Sequence, residues 1–276
     1  LFINIKLIVD FRDPWANDID IIMPTKFHKF LHRYFEKLVL RVSDSVLVTT
    51  NYHKQYFNKI INHDHNKIHV ITNGYNSSDF NNLTNKKSNI FSIVHTGNFD
   101  MSRNPNSFLK AISNITIKFP EIFKDNSIKF FGNFNPIVQN KINKLKINNI
   151  VKQFGMINYQ DAINEMSASS VLLLVVHNDP VTPKFCIPAK LFEYMATNRP
   201  ILSISPKGAA SDIIEKYKIG INIPHHEVEE IEQQLISYYK LFLKDELNNN
   251  KIDKRILEKY DRENLTNNFS TILNNL

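Results

Sequence analysis

The sequence predicts an α/β protein with parallel strands covered on both faces by helices. Three observations point there. Short apolar runs alternate along the chain with longer stretches of helical periodicity. The composition, 42% hydrophobic, 22% charged and 11% aromatic, is that of a globular chain with a real core. The length of 276 residues predicts about two domains at roughly 100 to 200 residues each.

The elements follow in order. Residues 5–11 read as a buried strand, 26–41 as an amphipathic helix, 45–49 as a strand, 52–61 as a helix and 68–71 as a strand. Residues 81–89 turn polar and read as a linker. A second alternation opens with a strand at 91–95. Arg103-Asn104-Pro105 then starts a helix, with Asn104 at the cap, Pro105 in the first turn, and Phe108, Leu109, Ile112 and Ile115 on one face. Strands at 127–131, 150–154, 171–176 and 200–204 alternate with helices at 136–145, 159–167 and 189–197. Five strands with right-handed crossovers make a complete doubly wound domain. Helices follow at 209–217, 228–242, 245–260 and 262–276. The expected division is a partial first domain over 1–85, a second domain over 90–260, and a C-terminal helix over 261–276 that packs back on the first. Ligands in such folds bind where strand C-termini and helix N-termini meet, here in the cleft between the domains.

Composition also sets limits. The longest apolar run, residues 171–176, is far short of the roughly 20 residues of a membrane-spanning helix, and the mean hydropathy is −0.29. The single cysteine, Cys186, excludes an internal disulfide and suits the cytosol. His63, His65, His225 and His226 lack metal-binding spacing and read as surface residues, so no metal is expected. The net charge of +7 is spread among many Asn and comes with no nucleic-acid motif, so nucleic acid is not an expected partner. Leu1 opens on an apolar run with no start signal, which suggests a missing beginning.

The most informative stretch runs from Ile187 to Leu202. Pro188 at the first turn of the 189–197 helix leaves N–H groups free at its N-terminus, where the dipole favours an anion, and Lys190 adds a full charge there. A diphosphate suits this spot. Glu193, three residues on and on the same helix face, can accept hydrogen bonds from ribose hydroxyls. Together they describe a sugar-nucleotide pocket.

With Pro188-x-Lys190-x-x-Glu193-Tyr194 followed by Arg199-Pro200-Ile201, the sequence resembles the family 4 glycosyltransferases of GT-B fold, in particular bacterial enzymes of polysaccharide and lipid-linked glycan assembly. Asp10-Phe11-Arg12-Asp13-Pro14-Trp15 resembles a turn of that family's first domain. So do Ser43-Asp44-Ser45-Val46 with Thr49 and Thr50, the 67–74 segment that ends the domain, and His95-Thr96-Gly97-Asn98, the first strand and loop of the second. The resemblance implies two Rossmann-like doubly wound domains, the first incomplete. It implies transfer of a sugar from a nucleotide-diphosphate donor to a glycan or lipid-linked acceptor, with retention, with no cofactor and without a bound metal. Cations and helix N-termini must then neutralise the leaving diphosphate. The resemblance makes Lys190 the first catalytic candidate and Arg103 the second. Gly97 would admit the donor phosphates, Pro188 and Ala189 would present the helix N-terminus, Glu193 would hold the ribose, and Arg12 and Asp13 would face the acceptor.

Two departures stand out. A second glutamate common in the family is replaced by Phe185, with Asp179 a substitute in the same loop, and roughly 100 residues that open such domains have no counterpart. Two other readings therefore stay open: a non-catalytic nucleotide-sugar-binding remnant, and a sugar-nucleotide epimerase or phosphorylase of the same architecture. Simpler roles compete at each residue. Lys190 and Glu193 form an exposed i,i+3 pair, His95 packs structurally, Gly97 serves a turn, Arg103 is solvated, and Arg12 pairs with Asp13. The 26–41 helix is expected to pack its apolar face on the first sheet, with peripheral contact to the inner membrane face as the alternative.

Overall fold

In the computed structural model, which describes residues 5–16, 23–61, 65–81, 89–124, 127–247 and 251–276, the apolar runs become strands of two separate parallel sheets. The first contains β1 (Ile8–Phe11), β2 (Ser45–Val48) and β3 (Ile68–Val70), in that order. It is joined by α1 (Lys26–Val42) and α2 (Asn51–Ile61). The register sets Phe11 beside Val48 and Val48 beside Val70. Every residue of the central strand β2 is buried, which explains why its sequence, Ser-Val-Leu-Val, lacks polar alternation.

The second sheet runs β4 (Ile93–Thr96), α3 (Asn106–Lys118), β5 (Ile128–Phe131), α4 (Pro136–Leu145), β6 (Val151–Gln153), α5 (Tyr159–Ala168) and β7 (Val171–Val175). It continues through α6 (Thr182–Phe185), α7 (Lys190–Ala196), β8 (Ile201–Ile204), α8 (Ala209–Tyr217), β9 (Gly220–Ile223) and α9 (Val228–Leu243). The strand order is β6-β5-β4-β7-β8-β9, so the direction of winding reverses between β4 and β7. Successive side chains of β7 point to opposite faces. Leu172 and Leu174 enter one cluster with Ile163, Leu191, Phe192 and Ile214, while Val171, Leu173 and Val175 enter another with Phe108, Ile112, Ile231 and Leu235. A strand feeding two cores must be apolar throughout, and each fully buried side chain contributes about 1.5–3 kcal/mol.

The sequence expectations need five corrections here. A sixth strand, β9, was not expected; its Gly-Ile-Asn-Ile run is short and starts on glycine. The 245–260 helix is broken: Asp245 takes a left-handed φ of 58°, and among the described residues of that stretch α10 (Lys254–Glu258) is the helical part before α11 (Arg262–Asn274). Helix α3 begins after Pro105, with Asn104 Oδ1 accepting from Asn106 N at 3.0 Å. His225 is not a simple surface residue, because its Nε2 contacts the Val176 carbonyl at 2.9 Å. Helix α1 turns Glu36 and Leu40 inward and leaves Phe27, Phe30, Tyr34 and Leu38 exposed, so its apolar face does not pack on the sheet. Glu36 takes the inner position because Ala16 N and Tyr56 Oη both donate to its carboxylate, at 2.9 and 3.3 Å. Most of the polar 81–89 segment, His63, and the residues before Ile5 lie outside the described residues.

The two sheets meet through side-chain bonds. Thr49 Oγ1 donates to Phe185 O and Thr50 Oγ1 to Lys184 O, at 3.1 and 3.0 Å. Asn73 Nδ2 donates to Ile187 O at 3.2 Å, and Tyr52 Oη to Asp212 at 2.8 Å. The chain crosses back beside Tyr75, whose N–H donates to Tyr260 O (3.1 Å) and whose carbonyl accepts from Arg262 N (2.9 Å).

Candidate functional site

The reversal in strand order opens a crevice at the C-terminal ends of β4 and β7. These strands pair only at Ile93 with Val171 and Val94 with Leu172. Beyond that, the Leu173 carbonyl takes hydrogen bonds from side chains: His95 Nδ1 at 2.9 Å and Tyr194 Oη at 3.3 Å. The same Tyr194 hydroxyl accepts from Thr96 N at 3.0 Å, and burial pushes its pKa up to about 12. Tyr194 thus holds α7 against the end of β4. Gly97 follows with φ of 129°, a conformation L side chains rarely adopt, and its N–H donates to Phe131 O at 2.6 Å.

Lys190 reaches over this glycine. A Cβ added at Gly97 would lie 1.6 Å from Lys190 Nζ and 3.8 Å from His95 Nε2. Burial and the nearby Arg103 charge lower the Lys190 ammonium to about 8, against opposing pulls from Glu193 and Asp100. Lys190 forms no hydrogen bond or ion pair among the described residues. Lys190 is thus a half-buried cation whose nearest opposing charges, Glu193 and Asp100, act on it without bonding to it.

Glu193, one turn on, accepts a hydrogen bond from Tyr159 Oη at 3.3 Å. Burial raises its carboxyl, while the Tyr159 bond and the charges of Arg262 and Lys190 pull it back. It forms no ion pair with Lys190 among the described residues, which leaves both groups open to a ligand. Arg103 differs. Its guanidinium is bound to Asp100, with Nε at 2.9 Å and a second bond from Nη2. Burial alone would raise the Asp100 carboxyl, but bonds from Arg103 and Ser102 hold it well below the usual range. Arg103 is therefore half-buried and paired, and its charge is largely answered.

His95 stacks on Phe99 with ring centroids 4.1 Å apart, and burial, then the Lys190 charge, holds its pKa far below the usual value. Its Nε2 faces the Gly97 backbone short of a full hydrogen bond, and among the described residues His177 Nδ1 and Asp179 Oδ2, in the loop after β7, are buried without a partner. Asp179 Oδ1 is committed to Val181 N and Thr182 N, both at 2.8 Å. These atoms lie at the C-terminal ends of β4 and β7, around the same crevice as Lys190.

The remaining expected residues fall differently. Pro188 and Ala189 precede α7, but their carbonyls already accept from Leu191 N and Phe192 N, at 3.0 and 3.1 Å. Two of the N–H groups expected to be free for an anion are thus used. Arg12 and Asp13 are both exposed; Arg12 donates to Ile71 O at 3.2 Å and pairs with Asp10 at 3.6 Å rather than with Asp13. Arg12, Asp10, Asn73, Ala189, Arg262 and Phe269 help line a cavity of ≈ 580 Å³ between the first sheet, α7 and α11. Lys190, Gly97, Glu193 and Arg103 thus form one group, and Arg12 belongs to the neighbouring space. Sequence reasoning gave no role to Tyr159, Tyr194 and Arg262, because each acts through an element distant in the chain, nor to Asp100, which claims Arg103 within a local turn that no motif marks. Among the described residues, no three of His, Cys, Asp and Glu are grouped to hold a metal ion, and no helix is long and apolar enough to cross a membrane.

Residues 74–258 match the family described as Glycosyl transferases group 1. No curated protein sequence matches. Solved structures share the fold at low identity. A Staphylococcus aureus TarM mutant in complex with fondaparinux, alpha-GlcNAc-glycerol and UDP superposes with a TM-score of 0.67 at 14% identity, covering 87% of this chain and 46% of that one. HepE of Anabaena in complex with UDP gives 0.75 at 14%, covering 98% and 72%. Sucrose-phosphate synthase of Thermosynechococcus elongatus gives 0.71 at 14%, covering 99% and 68%. The chain thus spans from about half to nearly three quarters of the length of these structures.

Proposed function

Because this chain belongs to the glycosyl transferases group 1 family, we propose that it binds a nucleotide-diphosphate-sugar and moves the sugar to a glycan or lipid-linked acceptor, with retention and without a metal. The observation that carries the reading is Lys190, a half-buried ammonium held over Gly97, with Glu193 one turn along the same helix. On this reading Lys190 meets the donor diphosphate and stabilises the charge that develops on it as the sugar leaves. Arg103, already paired with Asp100, adds a weaker field. Glu193, oriented by Tyr159, accepts from the ribose hydroxyls. Gly97 leaves room for phosphate oxygens beside the Lys190 ammonium. Pro188 and Ala189 shape the wall near the diphosphate, and the unpaired Asp179 Oδ2 and His177 Nδ1 are suited to sugar hydroxyls. Residues 90–260 then form the donor side and residues 1–85 part of the acceptor side, with Arg12 and Asp13 facing the acceptor. UDP in the HepE and TarM structures favours a uridine nucleotide as the first donor to try. The setting is the cytosol, beside the inner membrane face where the acceptor is lipid-linked, and the family 4 enzymes of bacterial polysaccharide assembly are the nearest functional type.

A second reading is a nucleotide-sugar-binding module that uses the same pocket without transfer, since Arg103, the second cation of the group, is already answered by Asp100. Calorimetry with UDP-, GDP- and ADP-sugars tests the shared core of both. Lys190→Ala and Glu193→Ala should each weaken donor binding about 10- to 100-fold, and unchanged binding in both would reject the pocket. Acceptor-dependent release of nucleoside diphosphate then separates transferase from binding module.

A further inference from the structure

Helix α1 is amphipathic in the wrong sense for a helix whose only role is to cover a sheet. At about 100° per residue, Phe27, Tyr34 and Leu38 lie within about 20° of the point opposite the buried Glu36. Phe27 and Phe30 are each 63% exposed and Tyr34 55%. With Phe35, Leu38 and Val42, they present on the order of 600 Å² of apolar side chain, the upper end of the largest patch on an ordinary monomer. Lys26, Arg33, Lys37 and Arg41 flank this strip. All four are exposed and none forms an ion pair among the described residues; Arg33 alone lies near the helix's own acid, the inward-facing Glu36, whose carboxyl its charge pulls down.

From this juxtaposition we propose that the outward face of α1 docks on an anionic lipid surface, its aromatic rings entering the interface while the flanking cations meet lipid phosphates. Charge decides the occupant. A second copy docking through the same face would bring two sets of unpaired cations together, whereas an anionic leaflet answers every one of them and accepts Phe and Tyr at headgroup depth. A neighbouring helix in the same layer would cover a flank of α1 but not the face opposite the sheet. Only the use of this surface rests on the transferase reading. The inner side of α1 supports the 12–16 turn, through Trp15 Nε1 donating to His32 Nδ1 at 2.9 Å and Glu36 accepting from Ala16 N. A membrane under α1 therefore lies close to the wall assigned to the acceptor.

The test is flotation with phosphatidylcholine vesicles, with and without phosphatidylglycerol. The protein should float with the anionic vesicles only and be released as salt rises to about 1 M. Each of Lys26, Arg33, Lys37 and Arg41 changed to Gln should lower partitioning about fivefold. The triple variant Phe27→Ser, Phe30→Ser, Tyr34→Ser should abolish it while leaving the unfolding midpoint unchanged. The proposal is overturned by failure to bind anionic vesicles, by binding that survives the triple substitution, by loss of fold in that variant, or by a concentration-dependent dimer that the variant dissociates. Donor calorimetry on the same variants reads the transferase assignment separately, since none of these residues lies in the donor pocket.

Discussion

The ammonium of Lys190 occupies the space a side chain at position 97 would need: a Cβ on Gly97 would sit 1.6 Å from Nζ. Gly97→Ala should therefore act as a lysine variant in disguise. The methyl group expels Lys190 from its position and also strains a backbone at φ of 129°. The expected result is loss of nucleoside diphosphate affinity comparable to that of Lys190→Ala, read by calorimetry. Normal affinity in Gly97→Ala would separate the lysine from the ligand.

The lowered pKa of Lys190, about 8, gives the site a pH signature. The ammonium is charged below that value and neutral above it. Affinity for a nucleoside diphosphate should hold up to pH 8 and then fall by about tenfold per pH unit. In Lys190→Arg, which keeps its charge throughout, the decline should disappear. Titrations between pH 7 and 9.5 would show a flat parent profile if this lysine does not meet the anion.

Glu193 should sense the ribose. Replacing UDP with its 2′,3′-dideoxy analogue should cost the parent about 10- to 100-fold in affinity, and Glu193→Ala very little. Tyr159→Phe should fall between, because it frees the carboxylate without removing it. Equal discrimination by all three proteins would place the ribose elsewhere.

His53 is fully buried between Phe11, Phe57 and Phe185 with both ring nitrogens unpaired, and burial lowers its pKa to about 4. The unfolded chain binds this proton near 6.5 and the folded chain resists it, so stability is complete above pH 6.5 and is lost as pH falls towards 4. The loss from this residue is about 3 kcal/mol. Urea midpoints at pH 7 and 4.5 should converge more closely in His53→Leu than in the parent.

Tyr194→Phe removes the acceptor of Thr96 N. Leaving that N–H unsatisfied should cost about 1–3 kcal/mol. Because Thr96 precedes Gly97, donor affinity should fall with it, whereas a purely packing role would lower stability alone.

Much of this was legible from the chain itself. The i,i+3 spacing of Lys190 and Glu193 already put the two side chains one turn apart on a single helix, since helical geometry follows from spacing. The meeting of Lys190 with Gly97, and of Tyr159 with Glu193, was not legible, because each joins segments that only the sheet order brings together. Helix α1 shows a subtler failure. Periodicity told which residues share a face, but the side turned to the sheet was decided by Ala16 N and Tyr56 Oη claiming Glu36. Likewise Asp100 removed Arg103 from the set of unpaired cations through a local turn that no motif marked.

The crossing at Tyr75 has a mechanical consequence. The outgoing and returning connections are laced together there, with Gly74 so close that a Cβ would lie 2.4 Å from Tyr260 O. Two ropes tied at one knot resist sliding but allow swinging. The halves should open as a door does, about a pivot at Tyr75, with the bonds of Thr49, Thr50 and Tyr52 across the sheets as the latch.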